Sequence, residues 1–160
     1  GFHVHPMHSA GYLRDVVRPA LDDGARKGGR TLADLELYSP VFVITGETQA
    51  EMDAMEQAVR RQAAFYGSTP SYAAVLEYHG HGALARTLNG LMREGRLDEM
   101  GAAVPADLLE HIAIIDKPAA IGARLRERYD GVLDRVSLYM TMGGDGEFNR
   151  WQELVEAIHA

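Results

Sequence analysis

At 160 residues, with 46% hydrophobic and 24% charged side chains, the chain has the make-up of one soluble globular domain rather than a disordered segment. A net charge of −7 and a pI near 5.4 argue against a nucleic-acid partner, and no apolar run approaches the ~20 residues of a membrane span. With no cysteine, disulfides and thiolate metal sites are excluded, and the cytoplasm is the default location.

The chain starts abruptly. Phe2-His3-Val4-His5 reads as a strand, with Phe2 and Val4 on one face, expected to pack on helices, and His3 and His5 on the other. Pro6 cannot continue a ladder, so the strand stops there. A strand that begins at position 2, without a polar lead-in, is expected of a piece of a longer protein. Ser9 is placed to cap a helix whose apolar stripe is Tyr12, Leu13, Val16, Val17, Ala20 and Leu21. Pro19 lies inside that helix and removes the hydrogen bond to the Asp15 carbonyl, so a kink or break is expected. Gly24, Gly28 and Gly29 end the pattern.

Residues 36–44 form the next strand, firm over Val41 to Ile44 because Pro40 counts against strand geometry. Thr48 and Glu51 make a capping box for a helix with Met52, Met55, Val59, Ala63 and Tyr66 on one face, ending at Gly67. Residues 68–112 show short helical pieces and no strand pattern. They read as a helical insertion within a single domain spanning 1–160. Pro118 opens a further helix with Ile121, Leu125 and Tyr129 buried and Asp130-Gly131 at its end. A third strand, Arg135 to Met140, places Val136, Leu138 and Met140 on one face. The glycine-rich loop Thr141 to Gly146 leads to a last helix marked by Phe148, Trp151, Leu154, Val155 and Ile158.

Repeated strand–helix units imply a parallel sheet with right-handed crossovers. Three strands are too few for this many helices, but they suit part of a (β/α)₈ barrel, which typically needs ~250 residues. The fold class is therefore α/β: part of a TIM (β/α)₈ barrel with a helical insertion.

The stretch Gly1-Phe2-His3-Val4-His5-Pro6 followed by Tyr12 to Leu21 resembles the sixth barrel strand and helix of luciferase-like monooxygenases, closest to their coenzyme F420-dependent oxidoreductase branch. Gly29-Arg30, the strand Val41 to Ile44, the helix opening Thr48 to Glu51 and the segment Pro118 to Leu125 resemble the family in the same order. The usual Gly-Thr-Pro before that last helix is Asp116-Lys117-Pro118 here. The resemblance implies hydride transfer between coenzyme F420, or alternatively FMN, and a small organic substrate. It also implies that the chain is the barrel's last three βα units with the helical insertion and that upstream strands supply most contacts to the ring, so this fragment alone is expected to bind cofactor poorly.

Ligand chemistry in parallel α/β folds collects at the carboxyl ends of strands. His5 is the candidate catalytic residue, because imidazole exchanges protons near neutral pH. His3, His8, Ser9, Thr45, Gly46 and Thr141 are candidates for substrate or cofactor contact, expected to gather at one edge of the sheet. The His-x-His pair, repeated at His79 and His81, also admits a metal-dependent hydrolase, although no third ligand follows at the usual spacing. His79-Gly80-His81-Gly82 reads more simply as a turn, and Arg86, Arg93 and Arg96 as solvated. A non-enzymatic α/β binding module is the remaining alternative. A segment cut from a barrel exposes strand edges, so a homo-oligomer is expected, a two-fold dimer with its contact near Phe2 or Leu138.

Overall fold

The computed structural model describes residues 1–139 and, beyond them, positions 152, 154–156 and 158. Its elements are β1 (Phe2–His3), α1 (Ala10–Tyr12), a π-helical segment (Leu13–Val17), α2 (Arg18–Lys27), β2 (Leu37–Ile44) and α3 (Gln49–Gly67). They are followed by α4 (Ala73–Tyr78), α5 (Gly82–Arg93), α6 (Leu97–Ala103), α7 (Ala106–Ile112), β3 (Ala113–Ile115), α8 (Pro118–Tyr129) and β4 (Arg135–Tyr139).

All pairings are parallel, and β2 is common to every one of them. The Glu36, Tyr38 and Ile44 carbonyls accept from Phe2, Val4 and Asp116, whereas the Leu37 carbonyl accepts from Asp134. Alternate carbonyls leave opposite edges of a strand, so β1 and β3 share one edge of β2 in tandem and β4 holds the other. Pro40 falls between the Tyr38 register with β1 and the Phe42 register with β3. Its missing N–H therefore breaks no bond on that edge, and β2 runs unbroken from Leu37, four residues before its expected firm part. β3 is a strand that the sequence reading did not anticipate.

The sheet is covered on both faces. Val41 and Val43 pack with Val4, Leu13, Ile114, Ile121, Leu125 and Tyr129, on the side of the π-helical segment and α8. Phe42 and Ile44 pack with Val59, Ala63, Leu76, Leu88, Leu108 and Ile112, on the side of α3 to α7. The stretch from Pro70 to Ile112 is helical throughout its assigned elements, and its apolar residues close this second core.

Three expectations about faces change. Phe2 does not pack with Val4: it is 41% exposed, because β1 pairs over only two residues and lies at the sheet's margin. On the first helix, Leu13 is buried but Val16 is exposed. The π turn just before Pro19 admits one extra residue and rotates the stripe, so Val17 rather than Val16 meets the core. The proline thus distorts the helix without ending it. Leu138 packs with Val136 on the α8 side, against the chain's own core. Of the last predicted helix, Leu154 is buried and Ile158 packs beside it, but Val155 is exposed; Met140, Phe148 and Trp151 lie outside the described residues.

Candidate functional site

β1 ends at His3, and the loop that follows leads through His5 and Pro6 into α1. His5 leaves this loop toward α3. Its ring stacks on Tyr72 at 4.4 Å between centroids and 26° between planes, and meets Tyr66 at 4.5 Å and 82°. The Tyr66 hydroxyl pairs with that of Tyr139 at 2.7 Å, and the Tyr139 ring stands edge-on to Phe42 at 5.2 Å. Two residues back along the chain, His3 lies against Tyr38 at 4.7 Å, and the Tyr38 hydroxyl pairs with Ser137 Oγ at 2.6 Å. His5, Tyr38, Tyr66, Tyr72, Ser137 and Tyr139 are all half-buried, and His3 is exposed. The result is a continuous wall of rings and hydroxyls on one face of the sheet. Burial, reinforced by Tyr139, pushes the Tyr66 phenol up to about 12, so it remains a donor. Burial, and then His3, lowers the His5 pKa, which favours the neutral ring.

The other candidates divide. His8 is 2% exposed and points away from the wall: its ring meets Tyr129 at 5.7 Å, on the α8 side. Its Nδ1 donates to the His5 carbonyl at 2.9 Å, its Nε2 has no partner among the described residues, and burial depresses its pKa to about 4. That is a structural histidine behind the sheet rather than a ligand contact. Ser9 caps α1 by accepting from the Tyr12 amide at 3.1 Å, and its Oγ also meets His79 Nε2 at 2.8 Å. His79 in turn stacks on His111 at 4.2 Å. The 79–82 segment is the expected turn, with Gly80 at φ 80° and His81 on Asp107 at 3.0 Å.

Thr45 and Gly46 follow β2, as expected, but at the far end of α3. Glu51 of the capping box receives the Glu47 and Thr48 amides, and Lys117 donates to the Gly46 and Glu47 carbonyls at 3.2 and 2.8 Å. The residue that replaces the family's threonine thus ties two βα turns together. Glu51 and Tyr66 are separated by about 22 Å along α3 at ~1.5 Å per residue. Thr45 and Gly46 therefore do not join the cluster around His5, although all of them follow carboxyl ends of strands. Thr141 lies outside the described residues. Among the described residues no group of three His, Cys, Asp or Glu side chains is arranged to hold a metal ion, and no helix is long and apolar enough to cross a membrane.

The tyrosines and Ser137 went unrecognised in the sequence. The helical spacing places Tyr66 on the apolar face of α3, and Tyr72 sits in a short 3-10 turn with no periodic signal. The alternation of β2 and β4, carried one residue further, would have placed Tyr38 and Ser137 opposite the helix-packed valines.

Parallel strands, helices on both faces and polar side chains after the strand ends define a segment of a (β/α)₈ barrel. The chain belongs to the luciferase-like monooxygenase family, whose profile matches residues 1–135. It is similar to uncharacterised proteins of Mycobacterium tuberculosis and Mycobacterium bovis, 42% identical over 132 residues. The alignment covers 82% of this chain and 39% of those relatives, so the chain spans well under half their length. The fold is shared with the coenzyme F420-dependent tetrahydromethanopterin reductase of Methanopyrus kandleri, at a TM-score of 0.70 and 21% identity, over 96% of this chain and 42% of that one.

Proposed function

We propose that the chain is the carboxyl-terminal part of an oxidoreductase that uses coenzyme F420, or alternatively FMN, and transfers hydride to or from a small organic substrate. Family membership supports the class. The observation that carries the reading is the wall around His5, half-buried rings and neutral hydroxyls after β1 on one face of the sheet. Such a surface suits a planar ring system: flat partners stack on it, and its donors meet ring oxygens and nitrogens. When bound, the ring supplies or accepts the hydride. The protein's share is to orient ring and substrate and to keep water out, with residues 68–112 as an insertion that roofs the site. A cytoplasmic location and a homodimer complete the reading.

The test is a chimera in which this chain replaces the matched region of the mycobacterial relative. It should bind coenzyme F420 or FMN with micromolar or better affinity, and the isolated chain should bind far more weakly. A folded chimera with no affinity for either cofactor rejects the proposal.

A further inference from the structure

The Nδ1 of His5 is already engaged, by the Met7 backbone amide at 3.1 Å. An amide N–H can only donate, so Nδ1 carries the lone pair and the neutral ring's proton sits on Nε2. No described residue takes that Nε2–H. Among the described residues, the titratable groups facing the ring are His3 two residues before it, His8 behind it, Tyr66 from α3 and Tyr72 from the turn after α3, with no carboxylate among them. Of these, Tyr66 stays protonated, and His8 resists a charge.

Resting on the redox-ring reading above, we infer that His5 is a locked hydrogen-bond donor. Its Nε2–H is offered to a carbonyl or anionic oxygen of a planar ligand, and it acts neither as a general base nor as a metal ligand. A base at Nε2 needs a lone pair there. So does a metal. Either role requires the proton to move to Nδ1, which sets two N–H groups against each other at the Met7 amide. The same geometry selects the ligand class: an electron-rich oxygen on a flat ring is what an Nε2–H donor favours.

The experiment uses the 15N-labelled chimera with the mycobacterial relative and long-range 1H–15N correlation of the imidazoles at pH 7, with FMN as the probe at millimolar concentration. Free His5 should show the Nε2–H tautomer, and FMN should shift its Nε2 signal and the Tyr72 ring signals. His5→Gln, which keeps a donor, should hold affinity within about threefold, and His5→Leu should lose about tenfold, the measure of one hydrogen bond. Urea midpoints of both variants report whether the fold is kept. A Nδ1–H tautomer, or His5→Leu binding as tightly as the parent, overturns the donor assignment. FMN shifts that leave His5 unmoved overturn it too, while sparing the redox reading. No shift anywhere with FMN, and none with coenzyme F420, rejects the redox reading and this inference together.

Discussion

Ser9 Oγ and His79 Nε2 meet at 2.8 Å across 70 positions of sequence. The bond ties the loop that carries His5 to the turn between α4 and α5, so the strand end and the helical stretch above it are positioned as one unit. Ser9 also caps α1 through the Tyr12 amide. Ser9→Ala should remove both bonds. A lost cap costs about 1 kcal/mol and a lost buried hydrogen bond about another, so a drop of about 2 kcal/mol in urea-measured stability is expected. His79→Ala, which spares the cap, should cost the tie and its stacking on His111 while leaving α1 intact. Unchanged stability of Ser9→Ala would show that the tie carries no weight.

His8 makes stability depend on pH. In the unfolded chain its imidazole binds a proton at the ordinary value of 6.5, but burial holds it back to about 4 in the fold. Between those values the unfolded state holds more protons, so stability rises with pH. The contribution is whole above 6.5 and is lost as pH falls toward 4. At ~1.4 kcal/mol per unit, the whole is worth about 3 kcal/mol. Between pH 7 and 4.5 the parent should lose about 2 kcal/mol more than His8→Asn, which has no titrating ring. Equal slopes for the two proteins would place the proton elsewhere.

Gly46 owes its identity to space. A Cβ there would stand 2.6 Å from Glu51 Cβ and 3.0 Å from the Met52 nitrogen, so the start of α3 would have to move and its capping box would open. Gly46→Ala should cost about 1–3 kcal/mol. Gly90, inside α5, has nothing within 4 Å of its added Cβ. Gly90→Ala should therefore stabilise by about 0.5–1 kcal/mol. Thermal unfolding of the pair gives the check, and shifts of the same sign would contradict the steric account.

Where local chemistry decides, the sequence was readable. Ser9, the Thr48–Glu51 box, Pro118 and Asp130-Gly131 mark helix ends by satisfying or ending backbone hydrogen bonds, and the structure has them there. Where pairing or packing decides, it was not. Ala113-Ile114-Ile115 continues the apolar run of α7 with no turn residue between, so β3 was hidden. Pro40 is tolerated because of a gap between two partners that no local rule reports. His8 resembled a site residue by its place after a strand. Only the turn at Pro6 decides that it points behind the sheet and His5 in front.

The last prediction concerns assembly, which we propose to be dimeric. Among the described residues, β1 pairs only with β2 over Phe2 and His3, and β4 also pairs only with β2. Each therefore keeps an outer edge of unpaired N–H and C=O groups, which invites another strand. Beside the β1 edge stand Phe2, 41% exposed, and His3, also exposed. Leu138 is held against the chain's own helices, which moves the expected contact wholly to the β1 side. Two copies meeting there along a two-fold axis would cover both phenylalanines with one patch. Sedimentation velocity at tens of micromolar should show the dimer, and Phe2→Lys, which sets a charge at that edge, should shift it toward monomer. A monomeric parent at that concentration sinks the idea. A dimer indifferent to Phe2→Lys would place the interface elsewhere, most simply along β4.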